Sequence, residues 1–410
     1  MKTSSLPRDL NVRIGWHAMC RWLTFCLLTC LLAACSTVHK PAKSAPKKPH
    51  STATAPVPKS HSAPSTGSVS PVEDDDAGTS LVFGNSRWLS VDWSDLPGFA
   101  DDDLFLAWNA WVKSCERPHP AFAPLCGDIR RLSIGSADMQ RQWMTDKLRP
   151  YRVAPLSGDP SAGLLTAYFE PELEARRLPD ETFKVPVYQM PAGLNPRTPW
   201  FSRQQIDTLS EAKEALRGRE IMYMDDALQV MVLHIQGSGR AAVTEPDGTR
   251  HLVRLAYAGH NGHPFASIAR WLQESGEVTD ASWPGIQAWI DHHPGRLDEL
   301  LWHNPRVVFF KEEPLSDLDA RFGPKGAQGV PLTPGRSIAI DQDSMPYGTP
   351  VWLVSESEHL SLQRLVLAQD TGSAIRGAVR ADFFVGWGSE AGGVAGQIRQ
   401  PLRLWVLWPR

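Results

Sequence analysis

Two aspartates near the C-terminal end of the chain are the residues best suited to acid–base chemistry. Asp370 follows the apolar run 365–368, which predicts a buried strand, and Gly377 allows the chain to turn back before Asp382. The turn brings both carboxylates to one short loop. The apolar residues at 383–387 are expected to raise the pKa of Asp382, so that it holds a proton at neutral pH. The alternative for either aspartate is a turn cap without chemistry.

A glycine-containing segment upstream has a composition suited to sugar hydroxyls. The apolar run 228–235 is predicted to be a strand that leads directly into Gln236, Gly237, Ser238 and Gly239. Glycines let a ligand approach the backbone, and the amide and hydroxyl side chains can hydrogen bond to it. The segment lacks the third glycine and the lysine of phosphate-binding loops, which disfavours nucleotides. A plain hairpin turn is the alternative.

The N-terminal region carries the features of an export signal. Residues 23–34 form an apolar run that is short for a membrane span and typical of a signal-peptide core. The preceding Leu-Ala-Ala and Cys35 resemble the bacterial lipobox, in which the cysteine becomes the lipidated first residue of the mature protein. Ser36 resembles the signal for outer-membrane sorting. We therefore expect residues 1–34 to be removed, with Met19 as an alternative start.

The segment after the predicted lipidation site reads as a tether. Residues 35–80 are rich in Lys, Pro, Ala, Ser and Thr and contain almost no large apolar residue, so they cannot bury enough surface to fold. Such a flexible coil averages roughly 40 Å end to end. The folded part should begin near Leu81. A net charge of -3 with scattered basic residues disfavours nucleic acid as a partner.

The cysteines and histidines give no sign of a metal site. After removal of the signal, Cys115 and Cys126 remain besides the lipidated cysteine, and the oxidising compartment favours a disulfide over two free thiols. Neither has a His or Cys partner at ligand spacing. His260 and His263 lack a carboxylate or cysteine in register and read as loop residues. No cofactor is expected.

The elements that position these residues are mostly short. Many short strands punctuated by Gly and Pro from residue 331 onward suggest a small barrel. The sixteen tryptophans are expected to serve mainly in the core, although aromatic faces also stack on sugars. Helices are predicted at 104–115, 137–148, 202–216, 264–274, 286–291 and 297–303, and strands at 164–170, 228–235, 307–310, 337–341, 351–354, 365–369 and 402–407.

Six segments that occur in order between residues 164 and 407 carry a family resemblance. They are LLTAYFEP, HIQGSGR, YAGHNGHPFASIAR, NPRVVFFKE, SIAIDQDSMPYGTPVWL and AQDTGSAIRGAVRADFFVGWGSEAG. Together they resemble the membrane-bound lytic murein transglycosylase A family, including its C-terminal three-aspartate domain. The resemblance implies a mainly β fold with a few peripheral helices. A double-psi β-barrel would form from segments 81–171 and 314–410, and 172–313 would be an inserted second β-rich domain, with glycan bound between them.

The resemblance also implies site residues. The three aspartates fall on Asp341, Asp370 and Asp382, and the catalytic aspartate of the family matches Asp382. Ala167 stands where a glycine is common and Phe169 where a second tyrosine is common, and both departures concern one sugar subsite. The predicted substrate-binding residues are Thr166 and Tyr168 beside the acid, Gln236, Gly237 and Ser238 on the insert side, and Tyr257 and Asn261.

The implied reaction is cleavage of the β-1,4 bond between N-acetylmuramic acid and N-acetylglucosamine with formation of a 1,6-anhydro end. The enzyme would be a peptidoglycan lytic exotransglycosylase, although the sequence itself leaves chain-end or interior action open. Attack by the 6-hydroxyl of the same sugar tethers the nucleophile, so one group can serve as acid and then base. Asp382 takes that role, and Asp370 keeps it protonated because two nearby carboxylates resist double ionisation. Asp341 is assigned to turn structure.

Two other classes stay open. One is a polysaccharide hydrolase that uses Asp382 with Asp370 or Glu390, since hydrolysis needs two carboxylates. The other is a non-catalytic glycan-binding lipoprotein. The expected partners are peptidoglycan glycan strands, the membrane through the lipid on Cys35, and other cell-wall enzymes. The expected location is the periplasmic face of the outer membrane of a Gram-negative bacterium.

Overall fold

The computed structural model describes residues 70–73, 79–157, 163–358 and 360–410. The predicted signal peptide, the predicted lipidation site Cys35 and most of the predicted tether lie outside these ranges. Among the described residues, no helix combines the length and the hydropathy that a membrane span requires. The strands are β1 (Ser70–Glu73), β2 (Thr79–Phe83), β3 (Ser86–Ser90), β4 (Leu148–Pro155), β5 (Leu164–Glu170), β6 (Glu172–Arg176), β7 (Val185–Tyr188), β8 (Glu220–Met224), β9 (Gly239–Thr244), β10 (Arg250–His260), β11 (Val308–Pro314), β12 (Ser337–Ile340), β13 (Pro350–Glu356), β14 (Ser361–Asp370), β15 (Arg380–Trp387), β16 (Arg399–Pro401) and β17 (Arg403–Pro409).

The helices of the described part are short and lie outside the two sheets that the strands form. Short 3-10 turns occur at Trp93–Asp95, Ala123–Leu125, Leu132–Ile134, Pro294–Arg296 and Asp319–Arg321. The α-helices are α1 (Phe105–Ser114), α2 (Cys126–Arg131), α3 (Ala137–Lys147), α4 (Arg203–Thr208), α5 (Ser210–Leu216), α6 (Ala227–Gln236), α7 (Ile268–Glu274), α8 (Trp283–His292), α9 (Leu297–His303) and α10 (Gly388–Ala395).

The first sheet contains the barrel. Its strand order is β1-β2-β3-β4-β17-β13-β14-β12-β15-β5-β16. The six strands from β13 to β16 nearly close on themselves, because Gln400 on β16 donates to Ser355 on β13, which donates to the carbonyl of Pro401. Two pairings in this set, β12 with β14 and β15 with β5, are parallel. The predicted fold class, mainly β with a double-psi barrel made from two chain segments, is confirmed.

Helices α1–α3 cover the outer face of the first sheet. The buried rings of Trp108 and Trp111 on α1 share a core with Trp352 on β13. The stripe predicted for α1 is thus core, as expected from its helical spacing. Cys115 and Cys126 form a disulfide with an S–S distance of 2.04 Å, which joins the end of α1 to the start of α2.

The second sheet has the order β11-β10-β9-β6-β8-β7, and its strands come from the chain between β5 and β12. Helix α6 connects this sheet to the helices that precede β11. Val230 and Leu233 pack in the sheet core, whereas Leu228 and Met231 pack against α7–α9. The predicted domain bounds, 81–171 with 314–410 and 172–313, stay a prediction.

The segment 228–235 is helical, so its prediction as a strand was wrong. A short apolar run fits a buried strand and a buried helix equally well by periodicity alone. The deciding signals lie at its ends. Asp226 caps the helix by accepting from the backbone N–H of Leu228 at 2.7 Å. Gly237 ends it with φ of 80°, the left-handed conformation typical of the residue after a helix.

Candidate active site

Most of the predicted site residues lie along one groove of about 700 Å³. Strands β5, β14 and β15 of the first sheet form one wall, and α6, β10 and β11 contribute the other. Of the residues predicted from the sequence, the groove is lined by Thr166, Tyr168, Gln236, Gly237, Ser238, Tyr257, Asp370 and Asp382.

Asp382 lies on β15 at the floor of the groove, directly opposite Thr166 on the parallel strand β5. The hydroxyl of Thr166 donates to Asp382 Oδ1 at 2.5 Å and accepts from Arg380 Nη2 at 2.8 Å. The guanidinium therefore fixes the direction of the threonine proton. Burial raises the pKa of Asp382 to about 6, against the opposing effects of Thr166 and Arg380.

Asp370 is the second carboxylate of the groove, and its oxygens are already bonded. Oδ1 accepts from the backbone N–H groups of Ala327 and Thr371, each at 2.9 Å. Oδ2 accepts from the hydroxyl of Tyr168 at 2.9 Å. Burial raises the pKa of Asp370, and these three donors oppose that rise. Its charge also raises the pKa of Asp382, but burial is the larger cause there.

Tyr168 stays a donor to Asp370 under all ordinary conditions. Burial, followed by the charge of Asp370, raises the pKa of this phenol well above its usual value. The ring also contacts Phe384 at a centroid distance of 5.2 Å. Tyr168 on β5 thus holds the second carboxylate in place across β12 and β15, which lie between β5 and β14 in the sheet.

Asp341 lies buried beneath the floor and does not line the groove. Its Oδ2 accepts from Asn85 Nδ2 at 3.1 Å and from the backbone N–H of Gly377 at 2.8 Å. Its Oδ1 accepts from the N–H of Asp343 at 3.2 Å. These bonds join the turn after β12 to the loop between β14 and β15.

On the opposite wall, the side chain of Gln236 makes a hydrogen bond that holds this wall against the first sheet. Its side-chain oxygen accepts from the backbone N–H of Phe169 at 3.1 Å, which attaches the end of α6 to β5. Gly237 and Ser238 follow at the rim. Tyr257 on β10 is 50% exposed and leaves its ring accessible in the groove.

Asn261 and Glu390, which the sequence suggested as a substrate-binding residue and a reserve carboxylate, do not line the groove. Asn261 is fully buried, and its amide donates to the carbonyls of Phe201 and Pro305 and accepts from the N–H of Val307. The structure therefore gives Asn261 a loop-bracing position instead of substrate contact. Glu390 is exposed in the first turn of α10 and does not line the groove.

Three groove residues were missed from the sequence. Arg380 lies two residues before Asp382 on the same strand face, a spacing that could have indicated it. His234 is half-buried on α6, where its Nδ1 lies 2.9 Å from Arg203 Nη2, and burial holds its pKa well below the usual value. Arg306 lies between α9 and β11. Among the described residues, no group of three or more His, Cys, Asp or Glu side chains could hold a metal ion.

Comparisons with known proteins agree with this architecture. The model of the MltA specific insert domain matches residues 164–311, and the model of the 3D domain matches residues 336–408. A relative from Vibrio cholerae named membrane-bound lytic murein transglycosylase A is 32% identical over 272 residues. These residues cover 62% of this chain and 68% of the relative.

Solved structures give the same result. The lytic transglycosylase LtgG of Burkholderia pseudomallei has a TM-score of 0.55 and 38% identity, covering 80% of this chain and 97% of that one. MltA from Neisseria gonorrhoeae has a TM-score of 0.66 and 28% identity, covering 82% and 96%. Escherichia coli MltA, solved with bound chitohexaose, shares the fold with a TM-score of 0.60 and 24% identity, covering 85% and 97%.

The barrel, the acid-bearing groove and these likenesses define an enzyme of the lytic transglycosylase class. The chain belongs to the membrane-bound lytic murein transglycosylase A family. The resemblance that the sequence suggested is thereby confirmed.

Proposed function

We propose that this protein cleaves the β-1,4 bond between N-acetylmuramic acid and N-acetylglucosamine in peptidoglycan and leaves a 1,6-anhydro-N-acetylmuramic acid end. The observation that carries the proposal is the carboxyl group of Asp382, which lies in the groove with a pKa raised to about 6. A carboxyl group with this pKa is still partly protonated near neutral pH, so it can act as a general acid there.

The proposed proton transfers need only this one group. Asp382 gives its proton to the glycosidic oxygen while the bond from that oxygen to C1 of the muramic acid breaks. The 6-hydroxyl of the same sugar then bonds to C1 and returns its proton to Asp382. Because the nucleophile belongs to the bound sugar, a high effective molarity replaces an activated water.

The neighbours of Asp382 suit both halves of this cycle. Burial favours the protonated form before the bond breaks. Once the proton has left, the hydroxyl of Thr166, oriented by Arg380, donates to the carboxylate and stabilises its charge. The same residue is therefore ready to accept the proton of the 6-hydroxyl.

A two-carboxylate hydrolase is the second candidate, and the groove argues against it. A hydrolase needs a second carboxylate that attacks C1 or activates a water. Both oxygens of Asp370 accept hydrogen bonds from protein donors, and Glu390 lies outside the groove lining. No other lining carboxylate of the described residues is on the same wall, since Glu313 belongs to β11.

The glycan strand is the proposed ligand of the groove, and the cell envelope the proposed place of action. The Escherichia coli MltA structure holds chitohexaose, a chain of N-acetylglucosamine units, and the exposed ring of Tyr257 offers a face on which a sugar can stack. We also propose that a lipid on Cys35 anchors the protein at the periplasmic face of the outer membrane.

The test is mass spectrometry of products released from purified peptidoglycan by the full-length chain and by its Asp382→Asn variant. From the wild-type chain we expect muropeptides whose mass is lower by one water than the mass of the corresponding products of hydrolysis. The variant should release them at least about a hundred-fold more slowly, because the acid is lost. Its melting curve serves as the folding control. Reducing-end products from the wild-type chain would instead establish the hydrolase.

A further inference from the structure

Arg306 stands out among the charged groups of the groove because no acidic side chain in the described part of the chain pairs with it. It lies between α9 and β11 on the wall opposite Asp382 and is half-buried. Its Nε donates to the carbonyl of His263 at 2.8 Å, which fixes the direction of the guanidinium. No carboxylate of the described residues lies within 4.0 Å of it. The two terminal nitrogens are thus free to bind a ligand in the groove.

The other cations of the groove are already engaged or well hydrated. Lys311 pairs with Glu313 at 2.6 Å on β11. Arg380 bonds to Thr166 beside Asp382. Lys325 is exposed in the loop after β11, where water can solvate its charge. Arg306 is therefore the cation of this lining that combines partial burial with no counter-charge.

The groups around Arg306 supply no negative charge. His260 accepts from the backbone N–H of Gly262 at 2.9 Å, and burial together with Arg306 lowers its pKa to about 4, so it is neutral. Tyr257 offers a half-exposed, uncharged phenol. A half-buried guanidinium without a counter-charge loses part of its hydration. A planar carboxylate that accepts two parallel hydrogen bonds can take the place of the lost water molecules.

We propose that Arg306 binds a carboxylate of the substituent on muramic acid. This inference rests on the proposed function, since it takes the glycan strand as the ligand. The sugar rings and their acetamido groups are neutral, and the acidic groups of the strand lie on that substituent. The carboxylate comes from the attached peptide or, in strands without peptides, from the free lactyl group. The enzyme then prefers acid-bearing strands to neutral ones.

The test compares the full-length chain with its Arg306→Gln variant on three substrates. These are peptide-bearing strands, strands freed of peptides by an amidase, and peptide-bearing strands whose carboxylates have been amidated with methylamine. In Arg306→Gln we expect KM to rise about ten-fold for the substrate whose carboxylate Arg306 binds. This factor corresponds to the low end of the free energy of a hydrogen bond to a charged group. On amidated strands KM and kcat should not change. Arg270→Gln, which removes an exposed cation on α7 outside the groove, is the matched control.

The outcomes separate the sources of the carboxylate and the two proposals. A rise in KM with peptide-bearing strands alone identifies the peptide carboxylate, and a rise with peptide-free strands alone identifies the free lactyl carboxylate. A rise with both kinds shows that Arg306 binds either carboxylate. An equal loss on amidated strands, or no change on any substrate, would overturn the role of Arg306. Wild-type protein that releases no anhydro product from any strand would instead refute the proposed function. If Arg306→Gln unfolds, Arg306→Lys keeps the charge and should retain most of the preference.

Discussion

Asp382 carries both halves of the proposed proton transfer, so its surroundings have to favour first the protonated and then the ionised form. Burial raises its pKa to about 6, and the hydroxyl of Thr166 limits that rise. An acid with this pKa is mostly protonated below pH 6 and loses its proton as the pH increases through that value. The rate should therefore fall on the alkaline side of about pH 6.

Thr166→Val tests this balance. The variant removes the donor that stabilises the ionised Asp382, so the pKa of the carboxyl group should rise further and the alkaline limb of the rate profile should move to higher pH. A hydrogen bond to a charged group contributes about 1.5–3 kcal/mol, which corresponds to a shift of about one to two pH units. The measurement is kcat/KM against pH.

Thr166→Ser is the matched control for that profile, since it retains the hydroxyl. Its alkaline limb should coincide with that of the wild-type chain. A limb in Thr166→Val that stays in place or moves to lower pH would show that Asp382 is not the group that titrates in the reaction.

At the scale of elements, the two sheets are joined by a buried charge cluster at the point where β5 leads into β6. Glu170 is fully buried at the end of β5 and accepts from Arg240 Nε on β9 at 2.8 Å and from Arg254 Nε on β10 at 2.7 Å. Both arginines also donate to the carbonyl of Phe322. The cluster connects strands that form opposite walls of the groove.

Glu170→Gln should lower the free energy of unfolding by about 3–5 kcal/mol, because it removes the buried carboxylate that pairs with both guanidinium groups and leaves Arg240 only the partly exposed Glu172. Chemical denaturation monitored by tryptophan fluorescence measures the loss. Glu172→Gln is the matched control, since Glu172 lies 3.6 Å from Arg240 with a side chain that is 44% exposed. That variant should change stability by less than about 1 kcal/mol. Equal effects of both substitutions would contradict the role of the cluster.

Most elements of the barrel could be predicted because their signals are local. Strand β5 begins and ends at the predicted residues, and helix α3 begins at the predicted residue, after Ser136, whose side chain accepts from the N–H of Met139. The strand predicted at α6 was wrong because a short apolar run fits either element, and only the end signals at Asp226 and Gly237 decide for a helix.

The groove itself depends on tertiary contacts that spacing does not encode. That no carboxylate of the described residues pairs with Arg306 could not be predicted, because the sequence does not show which side chains the fold brings near this arginine. Asn261 is a second residue whose position depends on tertiary contacts. Its motif suggested substrate contact, but the fold turns its amide towards three backbone groups of neighbouring loops.

For the whole molecule, the proposed anchor decides where the groove can work. The described residues from 79 onward contain both walls of the groove and its acid, so the proposed catalysis requires no residue of the predicted tether. A lipid on Cys35 would hold that groove near the membrane, at the distance that the predicted tether allows.

Cys35→Ala should therefore release the protein from the membrane without altering its reaction. We expect the wild-type chain in the membrane pellet and the variant in the soluble fraction after cell lysis, because the variant lacks the lipid and the apolar run 23–34 is short for a membrane span. Both proteins, purified, should release anhydro muropeptides from isolated peptidoglycan at the same rate. Ser36→Ala, which leaves the cysteine intact, is the control and should stay with the membrane. A Cys35→Ala variant that still pellets with the membrane would refute the lipid anchor and leave the chemistry of the groove untouched.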